Sequence, residues 1–174
     1  MIAAAYAYTT DSSIPNLKGL LTMATYRFSQ VNGALIDFNA RVDNLHFDSG
    51  SAADLDITAA GSTLTFRLGS ESVRLKVGQG GTLAQFTTSN FTFADGSVLL
   101  IGDNTADRSR DAGANDLRGS AGNDRLIGMG GNDFLDGRDG SDTYVVTGTG
   151  DGTDTYRDSG SSGVDRIVAG SNGT

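Results

Sequence analysis

The sequence predicts an all-β protein in which an antiparallel sheet domain precedes a short stack of strands and tight turns. Residues 54–101 alternate apolar and polar side chains with a period of two, the period of a half-buried strand. Residues 119–145 repeat glycine and aspartate with a period of nine, which requires a periodic structure. Of the 21 acidic residues, only Glu71 is not Asp. Asp favours turns, whereas Glu favours helices.

The alternating segment predicts a meander of antiparallel strands with one face in solvent. Hairpin turns are expected at residues 61–62 and 69–72, between runs of alternating apolar residues. Residues 91–93 and 97–101 are expected to form a further hairpin around Asp95-Gly96. We therefore assign residues 42–101 to an antiparallel β-sheet module.

Residues 1–41 give a poorly defined N-terminal segment. The apolar residues between positions 16 and 30 are compatible with a short helix, and residues 35–47 predict one or two strands around a turn. The first residues lack the positive charge of a secretory signal peptide. No apolar stretch in the chain is long enough to span a membrane.

The repeat consists of three consecutive units that begin at Gly119, Gly128 and Gly137. In each unit the first and fourth residues are Gly, the sixth is Asp and the eighth is large and apolar. Glycine tolerates positive φ, so a six-residue turn can direct several carbonyl oxygens to one side, and the Asp adds an anionic oxygen. Calcium takes six to eight oxygen ligands, a number that two stacked turns supply and one does not. The eighth residues suit the centre of a short strand, with the side chain pointing inward: Leu126, Leu135 and Tyr144.

This pattern resembles the RTX family (repeats-in-toxin, haemolysin-type calcium-binding repeats), whose consensus is Gly-Gly-x-Gly-x-Asp-x-apolar-x. The resemblance implies that residues 102–152 form a short right-handed parallel β-roll that binds Ca²⁺ between turn n and turn n+2. The implied carboxylate ligands are Asp124, Asp133 and Asp142, with Asp107, Asp116 and Asp151 from degenerate flanking units. The implied carbonyl donors are Gly119, Ala121, Gly122, Gly128, Gly130, Gly131, Gly137, Asp139 and Gly140.

Two departures from the consensus are visible in the sequence. The second glycine is replaced in all three units, by Ser120, Met129 and Arg138, which reduces the freedom of those turns. The interval from Asp116 to Asp124 is eight residues instead of nine, which we interpret as a slip of one residue.

Composition and charge exclude several classes of site and partner. The chain has no Cys, which excludes disulfides and thiolate metal sites. The formal net charge is −8, and most of it falls in residues 100–174, so this half repels itself until cations bind. Nucleic acid is not an expected partner, because no basic patch exists to neutralise phosphates.

No catalytic constellation is apparent from spacing. The one histidine, His46, lies in an apparent strand without a partner that would make it a base or a ligand. Asp54 and Asp56 share one face of a strand, which a solvated surface explains. The chain has neither a Gly-x-Ser-x-Gly elbow nor a phosphate-binding loop.

The resemblance therefore implies a non-catalytic, calcium-dependent folding module of a secreted or cell-surface bacterial protein, of the adhesin or surface-layer type. Its partners would be calcium, the type I secretion apparatus during export, and cell surface, glycans or neighbouring modules. Two alternatives stay open, an accessory module of a type I secreted enzyme and a carbohydrate-binding module. Residues 153–174 are expected to enter a further module, since Val164-Asp165-Arg166-Ile167 repeats the pattern of Val42-Asp43-Asn44-Leu45.

Overall fold

The chain folds almost entirely into short β-strands. A computed structural model describes residues 23–77, 82–105, 110–148 and 150–170. Helical residues in these ranges are confined to four three-residue 3-10 turns, at Phe28–Gln30, Ala52–Asp54, Leu83–Gln85 and Thr88–Asn90. The strands are β1 (Thr25–Arg27), β2 (Leu35–Asp37), β3 (Asn44–Phe47), β4 (Asp56–Ala60), β5 (Thr63–Leu68), β6 (Glu71–Lys76), β7 (Phe91–Phe93), β8 (Leu99–Ile101), β9 (Asp116–Arg118), β10 (Arg125–Ile127), β11 (Phe134–Asp136), β12 (Thr143–Val146), β13 (Thr155–Arg157) and β14 (Arg166–Ala169).

The repeats form two facing parallel sheets. Strands β8, β10, β12 and β14 make one sheet in the order β14-β12-β10-β8, and β9, β11 and β13 make the other in the order β13-β11-β9. Consecutive strands alternate between the sheets, so one strand from each completes a coil. The eighth residues of the units align between coils, with Leu126 opposite Tyr144 and Leu117 opposite Leu135. This arrangement confirms the prediction of an all-β chain with a parallel β-roll.

The interior of the roll is a column of apolar side chains. Leu126 and Leu135 are completely buried, and Leu100, Leu117 and Tyr144 complete the cluster. Burial of each such leucine stabilises the stacked form by roughly 1.5–3 kcal/mol. The inward direction predicted for the eighth residues is thereby confirmed.

The N-terminal part is a mixed structure. Strands β4, β5 and β6 form the predicted antiparallel meander, and β2 joins it in parallel with β6. Strands β1, β3 and β7 form a separate parallel sheet. The sequence is compatible with a short helix between residues 16 and 30. Of this segment, residues 16–22 lie outside the described ranges, and the rest contains β1 and the 3-10 turn Phe28–Gln30.

The predicted hairpin around Asp95-Gly96 is wrong. Strand β7 pairs in parallel with β3, and β8 pairs in parallel with β10, so residues 94–98 pass from one sheet to another. The physical reason lies in Leu99, Leu100 and Ile101, which are all buried. A strand covered on both faces suits a parallel sheet between two layers and not a half-exposed hairpin.

The outer face of the β8–β14 sheet packs on the N-terminal part. Ile127 and Val145 belong to the same apolar cluster as Phe47, Phe66 and Phe91. The rings of Phe47 and Phe93 stack with centroids 4.6 Å apart. One sheet of the β-roll is therefore buried on both faces at β8, β10 and β12, whereas its edge strand β14 is largely exposed.

The division of the chain at residues 101 and 152 stays a proposal. Strand β8 pairs within the roll, and β13 and β14 continue its two sheets beyond residue 152. No helix in the described ranges is long and apolar enough to cross a membrane.

Candidate metal centre

The turns of the roll stack in two rows, one along each edge. The first row contains the turn at residues 128–133 and the described parts of two longer turns, 102–105 with 110–115 and 147–148 with 150–154. The second row contains the turns at 119–124, 137–142 and 158–165. Glycines make this stacking close. Gly140 has φ +116°, and an added Cβ there would overlap the carbonyl oxygen of Gly122 in the turn below. In the first row, Gly131 likewise lies against the carbonyl oxygen of Gly113, so the backbones of successive turns are in close contact along each edge.

The sixth-position carboxylates join successive coils. Oδ1 of Asp124 accepts a hydrogen bond from the backbone N–H of Val98 at 2.7 Å. Oδ1 of Asp133 accepts one from Asn115 at 2.9 Å, and Oδ1 of Asp142 one from Asp124 at 2.8 Å. Each carboxylate therefore satisfies an N–H group of the preceding coil in the same row.

The second oxygens of two of these carboxylates are buried without a partner. Asp133 and Asp142 are 2% and 0% exposed, and among the described residues nothing donates a hydrogen bond to either Oδ2. Burial raises the pKa of both carboxyls to about 6, and nearby carboxylates add to the shift. Burial of an ionised oxygen without a partner is strongly unfavourable. A cation beside these two oxygens would therefore stabilise the ionised form of both carboxylates.

Glycines keep the space beside these oxygens open. An added Cβ at Gly128 would overlap Oδ2 of Asp133, and one at Gly137 would overlap Oδ2 of Asp142. The first glycine of each turn is thus required by the carboxylate that closes the same turn. Gly137 is further held by its N–H, which donates to the Tyr144 hydroxyl at 2.9 Å.

The donor set fits calcium. In the described part of the chain, no three side chains of the Asp, Glu, His or Cys type converge on one point. Side chains alone therefore fall short of six to eight oxygen ligands, and backbone carbonyls of the stacked turns must supply the rest. Mixed carbonyl and carboxylate oxygen donors are what this hard cation accepts.

Comparison with protein-family models gives one match, the RTX calcium-binding nonapeptide repeat, in four copies over residues 110–144. Residues 110–144 are RTX repeats. Repeats of this family bind Ca²⁺. Searches of curated proteins and of solved structures give no match to the chain.

The fourth RTX repeat corrects the predicted slip. Asp116 pairs with Phe134, which is the seventh residue of the unit 128–136. Asp116 is therefore the seventh residue of the unit 110–118, and Asn115 is its sixth residue. Repeat phase thus continues unbroken back to residue 110. The Asp116 carboxylate lies on strand β9, exposed, and forms an ion pair with Arg118 at 2.9 Å. The structure does not bring it to the turn row.

The other carboxylates predicted as ligands differ in their hydrogen-bond partners. Asp151 is buried and accepts hydrogen bonds from the N–H and hydroxyl of Thr147 and from the N–H of Gly148. The Asp139 carboxylate accepts from the N–H of Ser161 in the next coil at 2.8 Å. Asp107 lies outside the described residues.

Sequence reasoning missed two aspartates beyond the matched segment that make the same bond between coils. Oδ1 of Asp154 accepts from the N–H of Asp133 at 3.0 Å, and Oδ1 of Asp165 accepts from that of Asp142 at 2.9 Å. Longer turns displace both residues from the nine-residue period. The available signal was local, since each directly precedes a short strand with Tyr156 or Ile167 at its second position.

Proposed function

We propose that the chain is a non-catalytic, calcium-dependent folding module of a secreted or cell-surface bacterial protein, of the adhesin or surface-layer type. The observation that carries the proposal is the pair of buried, unpartnered oxygens on Asp133 and Asp142. A calcium ion at each turn would replace the missing donors. The stacked form is then favoured where calcium is abundant and disfavoured where it is scarce.

Calcium binding and folding are coupled on this proposal. In the unfolded chain the same carboxylates are solvated, and no preformed site exists, so the free energy of binding becomes free energy of folding. Sites of extracellular modules have Kd of about 10⁻⁴–10⁻³ M. A chain with such sites stays unfolded at the low calcium concentration of a cell interior, which suits export by a type I apparatus, and folds outside.

The proposed ligands lie in the turns at residues 119–124, 128–133 and 137–142. Asp133 and Asp142 provide the central carboxylates. Backbone carbonyls provide the remaining oxygens, from Gly119, Ala121, Gly122, Gly128, Gly130, Gly131, Gly137, Asp139 and Gly140.

The residues considered for catalysis have structural surroundings, which supports the non-catalytic part of the proposal. Nδ1 of His46 lies 3.0 Å from the Thr92 hydroxyl on the neighbouring strand. Oδ1 of Asp54 lies 3.8 Å from the Arg166 guanidinium, at the contact between the 3-10 turn Ala52–Asp54 and β14.

The test is circular dichroism of the full chain titrated with calcium, with magnesium as the control ion. We expect a calcium-specific gain of β-structure in the wild type that is lost in the double variant Asp133→Ala/Asp142→Ala. The matched control is Asp37→Ala, which removes an exposed carboxylate from β2. A wild-type chain that is fully folded and indifferent to calcium would overturn the proposal.

A further inference from the structure

The turn closed by Asp124 differs from the next two in how it holds its carboxylate. The backbone N–H of Ser120 donates to Oδ2 of Asp124, and the Ser120 hydroxyl lies 3.0 Å from the same atom. Oδ1 already accepts from Val98. Both oxygens of this carboxylate are therefore partnered by the protein, whereas Asp133 and Asp142 each have one buried oxygen without a donor.

The second residue of each turn accounts for this difference. Met129 has φ 73° and Arg138 has φ 71°, in the left-handed region that the consensus glycine would adopt, and Ser120 is not in that region. Oδ2 of Asp133 and Oδ2 of Asp142 accept no hydrogen bond from the second residue of their own turns. Where the second residue of the turn has positive φ, the carboxylate keeps one oxygen without a donor, and we call that carboxylate open. Where the second residue is Ser120, both carboxylate oxygens accept hydrogen bonds, and we call that carboxylate closed.

The N-terminal part contains another aspartate, Asp43, whose two carboxylate oxygens both accept hydrogen bonds from the backbone. Oδ1 of Asp43 accepts from the N–H of Ala24 in the preceding coil at 3.0 Å, and Oδ2 accepts from the N–H of Asn39, four residues earlier, at 2.8 Å. Ser120 stands in the same relation to Asp124, also four residues earlier. At Asp43 and at Asp124, neighbouring parallel strands are therefore joined by a buried Asp whose two oxygens are both satisfied by protein donors.

From this geometry we infer that calcium ions bind at the carboxylates of Asp133 and Asp142, and that Ser120 takes the place of the ion at the carboxylate of Asp124. The inference rests on the proposed calcium binding and refines it. The closed turn lies at the junction with the N-terminal part, where the carbonyl oxygen of Asn123 accepts from the N–H of Ala53 at 3.0 Å. The junction coil then forms without calcium and gives the calcium-dependent coils a preformed end on which to stack.

The test is the number of calcium ions bound per chain, measured by titration calorimetry on the intact 174-residue chain. Ser120→Gly removes the hydroxyl and restores the consensus residue, and we expect it to bind one ion more than the wild type. Arg138→Gly makes the same change in a turn that is already open, and we expect its ion number to equal that of the wild type. A Ser120→Gly protein with the wild-type number would overturn the inference. A wild type that binds no calcium would overturn the proposed function as well, so the two failures are distinguishable.

Hydrogen exchange of the calcium-free wild type gives a second readout that needs no variant to fold. We expect the amides of Ser120 and Val98, which donate to Asp124, to exchange more slowly than the amide of Asn115, which donates to Asp133. Equal exchange of the three amides without calcium would contradict a closed, ion-independent junction turn.

Discussion

Oδ1 of Asp142 accepts a hydrogen bond of 2.8 Å from the backbone N–H of Asp124, 18 residues earlier in the chain. The same bond joins Asp133 to Asn115 over the same separation in the other row of turns. One oxygen of each carboxylate thus joins two coils, and the other is buried and free to bind a cation. Substitutions can separate these two roles.

Asp142→Asn should retain the first role and lose the second. An asparagine carbonyl can still accept from the Asp124 N–H, and the buried negative charge is removed, so we expect the calcium-free protein to be at least as stable as the wild type. Asp142→Ala removes the acceptor as well and leaves a buried N–H without a partner, at a cost of about 1–3 kcal/mol. Urea unfolding with and without calcium measures both effects. If Asp142→Asn kept the full calcium stabilisation, the role of Oδ2 as a ligand would be refuted.

The pKa values of Asp133 and Asp142 predict how stability depends on pH. Burial raises both folded-state pKa values to about 6 from the ordinary value of 3.8, so the folded state binds protons more tightly than the unfolded state. Their contribution to stability is complete below the ordinary pKa and is lost as pH rises through about 6. We therefore expect the calcium-free chain to show more β-structure by circular dichroism near pH 5 than near pH 7.5.

In the presence of calcium, stability should instead increase with pH, because the ion must displace protons from the carboxylates of Asp133 and Asp142. Calorimetric titration near pH 6 in buffers of different ionisation enthalpy should show proton release on binding. A β-structure content of the calcium-free protein that rises steadily from pH 5 to about pH 7.5 would contradict the pKa shifts.

The general architecture was readable from the sequence because its physical signals are local. Nine-residue spacing of glycine and aspartate predicts turns, and one apolar residue between polar ones predicts the short strands of the roll. Sheet pairing was less readable, since the Asp95-Gly96 turn satisfies the rules for a hairpin, yet β7 and β8 lie in different sheets. The overlooked signal was three consecutive apolar residues in β8, which a strand with one wet face does not carry.

Close stacking of turns predicts a strong effect of a single methyl group. Gly140→Ala would place a Cβ onto the carbonyl oxygen of Gly122 and should separate the second row of turns. The matched control is Gly148→Ala, since Gly148 also has positive φ, at 107°, but an added Cβ there meets nothing within 4 Å. We expect Gly140→Ala to be less stable than Gly148→Ala by at least about 1 kcal/mol, through overpacking. Equal denaturation midpoints would show that backbone strain, and not the stacking contact, sets the cost.

The ligand set was only partly readable, for a related reason. Sequence spacing located Asp133 and Asp142 but placed Asp116 in a turn, because an Asp eight residues before Asp124 looks like a displaced repeat. Register shows instead that Asn115 holds the sixth position. Whether both oxygens of a carboxylate are satisfied depends on donors such as Ser120, which the consensus treats as a lost glycine. The direction of the Ser120 N–H follows from the three-dimensional fold and is not encoded in the nine-residue spacing.

Arg138 offers the simplest stabilising change. Its side chain is exposed and its backbone has φ 71°, a conformation that costs a residue with a Cβ roughly 1–2 kcal/mol relative to the right-handed region. Arg138→Gly removes that strain, and the greater freedom of glycine in the unfolded state offsets part of the gain. We expect a net increase in the free energy of unfolding of about 1 kcal/mol, measured by urea denaturation in saturating calcium. Arg138→Ala removes the same side chain but keeps the Cβ, so it should show no such gain. If both variants gained equally, the benefit would come from loss of the arginine side chain and not from relief of backbone strain.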